Sequence, residues 1–76
     1  MEITGMKKVN FTPKDSDSVI EGYNLYLTYE ARDTAGYACE RIFVSEYRLG
    51  EYVPALGDEV HVNYNRFGKV DSVVRI

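Results

Sequence analysis

The stretch Val19-Ile20-Glu21-Gly22-Tyr23-Asn24-Leu25-Tyr26-Leu27-Thr28-Tyr29-Glu30 decides the fold. Tyr23, Leu25, Leu27 and Tyr29 alternate with Asn24, Tyr26, Thr28 and Glu30. Successive side chains of a strand point to opposite faces, so this period of two describes a strand with one face buried and one face wet. The stretch holds no proline and is rich in aromatic residues, which suit a pleated surface. Tyr23 and Tyr29 belong to the apolar phase and are expected in the core. Tyr26 falls on the polar phase, where so large a ring needs a reason to be.

Upstream, residues 2–11 read as a first strand with Ile3, Val9 and Phe11 pointing one way. The alternation slips near Gly5-Met6-Lys7. A bulge there accounts for the slip, because one extra residue flips the face of everything that follows. Thr12-Pro13-Lys14-Asp15-Ser16-Asp17-Ser18 is a polar loop whose proline cannot donate to a ladder.

Downstream, Arg32-Asp33-Thr34-Ala35-Gly36 is a loop, and residues 37–44 form a third strand. Ala38, Ile42 and Val44 suit its inner face, which leaves Tyr37, Cys39, Arg41 and Phe43 outside. The opposite phase would bury Cys39 and Phe43 instead; Glu40 sits on one phase and Arg41 on the other, so charge does not choose between them. Ser45-Glu46-Tyr47-Arg48-Leu49-Gly50 reads as one helical turn, with Ser45 as N-cap, Glu46 at the positive end and Gly50 as the stop. Residues 51–58 form a loop around Pro54 and Gly57-Asp58. Residues 59–65 are a fourth strand with Val60, Val62 and Tyr64 inward. Asn65-Arg66-Phe67-Gly68 is a tight turn into a last strand over residues 69–76.

Three strands in series, a short helical connection and a closing hairpin is the element order of an OB-fold, although SH3-like barrels share much of it. The expected fold is therefore all-β: a small five-stranded OB-like barrel with a short helical turn between strands 3 and 4. The 76 residues make one domain, spanning 1–76. A chain this short buries only about 60% of its unfolded surface, so its stability margin is thin. Cys39 is the one cysteine, which forbids an internal disulfide, and Cys39 with His61 is too few ligands for a zinc site. The domain must hold itself together through its apolar core or by pairing with a copy of itself. Neither a signal peptide nor an apolar run of roughly 20 residues is visible, and the unpaired thiol suits a reducing compartment; a cytoplasmic location is expected, with no membrane contact.

Charge and motifs narrow the function. The net charge is −3, from 12 acidic and 9 basic side chains, which counts against a protein devoted to phosphate backbones. The acids crowd into residues 15–33, where Asp15, Asp17, Glu21, Glu30 and Asp33 face Arg32 alone. No catalytic residue can be named. His61 reads as a surface residue, Cys39 as a small buried or half-buried side chain, and Asp58-Glu59 as a solvated turn. No metal cluster, phosphate loop or cofactor motif is present. Aromatic rings beside basic residues are the better signal, because single-stranded nucleic acid is held by rings that stack on bases next to cations that follow the backbone. Tyr26, Arg41, Phe43, Arg66, Phe67 and Lys69 form the expected nucleic-acid contact set. The same rings could instead form the apolar centre of a homodimer or of a protein–protein module. For Tyr26, Phe43 and Phe67, packing or a dimer seam weighs about as much as a ligand platform, and for the arginines plain solvated surface is the leading account.

The segments Gly22-Tyr23-Asn24-Leu25, Tyr52-Val53-Pro54-Ala55-Leu56-Gly57 and Glu59-Val60-His61-Val62, with the Arg66-Phe67-Gly68-Lys69 hairpin, resemble small single-stranded-DNA-binding proteins of filamentous phage. In style the chain is also similar to short uncharacterised proteins of phages and mobile elements of Gram-positive bacteria. The resemblance covers well under the whole chain. It implies a dimeric OB-fold that coats single-stranded DNA without sequence preference through tyrosine and phenylalanine platforms.

Overall fold

The computed structural model describes residues Met1–Ile76. Its elements are β1 (Glu2–Phe11), β2 (Ile20–Tyr29), β3 (Ala38–Ser45), α1 (Glu46–Leu49), β4 (Val60–Tyr64) and β5 (Val70–Arg75). The order matches the expectation, with strand ends trimmed by a residue or so. The strands form two antiparallel sheets, β1-β2-β3 and β4-β5, and no closed barrel.

The central strand β2 pairs on both sides, which explains why its alternation is so clean. Leu25 lies opposite Ile42 and Leu27 opposite Glu40, while Tyr26 lies opposite Arg41 on the other face. Leu25 and Leu27 are fully buried. Ile42 and Val44 are buried beside them and Arg41 is exposed, so β3 takes the phase that puts its arginine outside. Cys39 shares that outer face and is exposed rather than half-buried. Tyr23 packs against the core cluster, and Tyr29 is half-buried at the strand end.

A bulge in β1 falls between Ile3 and Gly5, slightly ahead of the expected slip. Ile3 pairs with Leu27 and Gly5 with Tyr26, so Thr4 is the extra residue, and its Oγ1 donates to the Tyr26 carbonyl at 3.2 Å. Everything after Thr4 changes face. Val9 and Phe11 therefore do not point with Ile3 into the core; Phe11 is exposed and shares the outer face with Phe43.

The first residues of β1 also hold the second sheet. The Ile3 N–H donates to the Asp58 carbonyl at 2.9 Å, and the Gly57 N–H donates to the Ile3 carbonyl at 2.8 Å. The Val60 N–H and the Met1 carbonyl meet at 2.8 Å, and Glu2 bridges Glu59. The continuous order is thus β3-β2-β1, then β4-β5 stitched to the start of β1. No backbone hydrogen bond joins β3 to β5, so one seam stays open.

Nine apolar residues fill the interior: Ile3, Leu25, Leu27, Ile42, Val44, Leu49, Val60, Val62 and Val73. Leu49 reaches this cluster because α1 starts where the sequence says it should. The Ser45 hydroxyl accepts from the Arg48 N–H, and Gly50 ends the turn at a φ of 63°. Tyr64, expected inside, is exposed. The β4–β5 register shifts between Asn63 and Tyr64, with Asn63 opposite Ser72 but Tyr64 opposite Val70. Asp71 is the extra residue of β5; Tyr64 stays opposite Val70 on the phase of Val60 and Val62, yet it is 46% exposed at the end of β4, where its hydroxyl donates to Glu40 at 2.7 Å. No helix is long and apolar enough to cross a membrane.

Candidate functional site

The open seam carries the main cleft, about 1050 Å³ in volume. Its walls come from four places: the end of β1 and the approach to β2 (Phe11, Val19, Ile20, Glu21), β3 from Glu40 to Ser45, the outer side of α1 (Glu46, Tyr47, Arg48), and the hairpin (Tyr64, Gly68, Lys69, Val70). Arg41, Phe43 and Lys69 of the expected contact set meet here. Tyr26, Arg66 and Phe67 do not line it.

Each exclusion has a local cause. Tyr26 is on the same face as Arg41, but its ring lies along the Gly5 backbone, so that a Cβ on Gly5 would sit 3.3 Å from it. An aromatic ring covering a bare glycine on the neighbouring strand shields that backbone from water. This packing points the ring towards β1, away from the β3 edge. Arg66 stacks its guanidinium over the Phe67 ring at 5.0 Å, and the two occupy each other at the hairpin tip. The tip is shaped by Asn65, whose Oδ1 accepts from the N–H groups of Phe67 and Lys69 at 2.9 and 3.0 Å.

Phe11 replaces Tyr26 as the ring beside Phe43. Their centroids are 5.6 Å apart at an interplanar angle of 63°, an edge-to-face pair. Tyr47 and Tyr64 add two more exposed rings to the walls. The sequence signal for Phe11 is the slip in alternation near Gly5, which the Thr4 bulge explains by moving Phe11 to the outer face; Tyr64 keeps its apolar phase, and no local signal marks its exposure.

The cleft carries three acids and three cations, and half of these are already engaged. Glu46 faces Lys8 at 3.5 Å, Arg48 bonds Asp71 at 2.8 Å, and Glu40 accepts the Tyr64 hydroxyl at 2.7 Å. Arg41 and Lys69 make no ion pair. They are the two cations free to meet an anionic ligand.

The hydrogen bond to Glu40, then burial, pushes the Tyr64 hydroxyl up to about 12. Burial, followed by the bond to Asp58 at 2.7 Å, pushes Tyr52 up to about 12 as well. A tyrosine whose folded pKa lies above its unfolded value of 10.0 stabilises the fold fully below pH 10, and that contribution is lost as pH rises towards 12. Melting temperature is therefore expected to fall over that window. Tyr52→Phe and Tyr64→Phe should each flatten the fall, as read by circular dichroism across the alkaline range. An unchanged slope in both variants would show that these hydroxyls do not ionise late.

The chain matches no family model, no curated protein and no solved structure.

Proposed function

We propose that this chain is a non-enzymatic, OB-like domain that binds single-stranded nucleic acid in the cleft between β3 and the β4–β5 hairpin. The OB-like reading is supported by the helical turn between strands 3 and 4 and by the stitching of β4 to the start of β1. OB-folds are partly open barrels that bind oligonucleotides across strands 2 and 3, between the loops that follow strands 1 and 4. The cleft lies along β3 between the corresponding loops. The observation that carries the function is the placement of Arg41 and Lys69, both without counter-ions, in one cleft with the Phe11–Phe43 ring pair. Rings supply sequence-tolerant stacking, worth about 1–3 kcal/mol per base, and cations track the backbone.

Titration with oligo-dT at low salt tests the reading. The chain has no tryptophan, so its emission comes from seven tyrosines, of which Tyr47 and Tyr64 line the cleft. Quenching in the micromolar range is expected, with a log–log salt slope near −1.4, because each phosphate neutralised on a single strand contributes about 0.7. Silence at micromolar protein would end the proposal.

A second reading rests on the backbone of the same open seam. The outward edge of β3 has no ladder partner, and unpaired strand edges are templates for another strand. A homodimer or protein–protein module built on that edge would show as a doubled mass in light scattering, with no response to oligonucleotide.

A further inference from the structure

We infer that Asp71 is a built-in stand-in for a ligand phosphate: it holds Arg48 as an internal counter-ion, and a strand lying in the cleft takes Arg48 over. The inference rests on the nucleic-acid reading of the cleft and names a control on it. Arg48 lines the cleft beside Arg41 and Lys69, yet it alone of the three is neutralised.

The geometry suits exchange. Arg48 Nη1 donates to one oxygen of Asp71 at 2.8 Å, and no second hydrogen bond joins the two side chains. A guanidinium has five N–H donors in a planar fork, so a single contact leaves most of the fork open to a phosphate. Both side chains are about half exposed, at 49% and 53%. An ion pair in water-exposed surroundings contributes little net stability, so a competing anion can displace it without dismantling the fold. Asp71 is also the extra residue of the β5 bulge, a device that re-aims a side chain off the regular alternation. The carboxylate reaches across the open seam to α1 because of that bulge.

The Glu40–Tyr64 hydrogen bond is the only other side-chain bond across this seam. It ties up an acid rather than a cation. Only the Arg48–Asp71 bridge therefore withholds a positive charge from the cleft.

A double-mutant cycle tests the inference, with anisotropy of labelled oligo-dT as the readout. Asp71→Asn should tighten binding about threefold to tenfold at low salt and steepen the salt slope by about 0.7, one further phosphate contact. In an Arg48→Gln background the same substitution should give no gain. Asp71→Ser provides a second variant in case the asparagine retains the bridge through its amide oxygen. An equal gain with and without Arg48 would overturn the inference in favour of general repulsion by a nearby acid. Normal wild-type binding with no gain in either Asp71 variant would overturn it and leave the cleft reading intact. Failure of wild-type and variant proteins alike to bind would remove both.

Discussion

Gly22→Ala is expected to destabilise the domain by about 3 kcal/mol, the upper part of the range for overpacked sites. A Cβ at residue 22 would lie 2.4 Å from the Val44 carbonyl oxygen and 2.8 Å from two carbons of the Phe43 ring. The ring can swing away; the carbonyl cannot, because it belongs to the backbone of the strand paired with β2. Relief requires β2 and β3 to part where Tyr23 meets Val44. Total stability for a domain of this size is on the order of 4–11 kcal/mol, so the loss is a large share of it. At about 4–8 °C per kcal/mol, the melting temperature should drop by roughly 12–24 °C. Gly5→Ala makes the internal comparison, since its Cβ would meet only the Tyr26 ring, at 3.3 Å. That ring can tilt, so the change should be far smaller. Thermal melts that place Gly22→Ala within a few degrees of wild type would show that β2 and β3 do not approach this closely.

Gly22 also links stability to the cleft. Phe43 lies across it, and Phe11 meets Phe43 edge-on, so a side chain at residue 22 would displace the ring pair as well as the strand. Bare backbone on the outer face of β2 is what lets Phe43 lie flat beside Phe11. The site and the central ladder therefore share one residue whose value is its missing side chain.

This coupling shows which features can be read from a single strand and which cannot. Leu25 and Leu27 are legible because alternation within one strand fixes which residues share a face, whereas in β3 alternation leaves two phases open and the structure takes the one that buries Ile42 and Val44. Ser45 and Gly50 bounded α1 through capping chemistry that is equally local. Tyr64 keeps its phase but is exposed at the end of β4, whereas Phe11 changes face because a bulge is a property of two strands. It inverts every later side chain, and its position depends on a partner that the alternation of one strand does not identify. The six residues expected to contact nucleic acid divide in the same way. Arg41, Phe43 and Lys69 line one cleft. Tyr26 was drawn to Gly5 on a neighbouring strand, and Arg66 and Phe67 satisfied each other. The open β3–β5 seam, which makes the cleft, is set by where β1 hands over from one sheet to the other. That handover involves residues more than fifty positions apart, such as Met1 and Val60.

Neutralising both free cations should abolish useful binding while leaving the fold in place. Arg41 and Lys69 are exposed and unpaired, so Arg41→Gln with Lys69→Gln removes no internal interaction. Each phosphate contact releases about 0.7 of a counterion, which at about 50 mM salt is worth roughly tenfold in affinity. The double variant should bind oligo-dT roughly 100-fold more weakly under those conditions, and its salt slope should be flatter by about 1.4. The comparison that gives this result meaning is Arg66→Gln. Arg66 carries the same charge on the adjacent turn but stacks on Phe67 outside the cleft. A site built on local contacts loses little when Arg66 is neutralised, whereas diffuse attraction to the hairpin loses as much as it does with Arg41. Equal losses for Arg66→Gln and Arg41→Gln would mean that nucleic acid is drawn to the hairpin as a whole, and that the rings lining the β3 edge take no part in holding it.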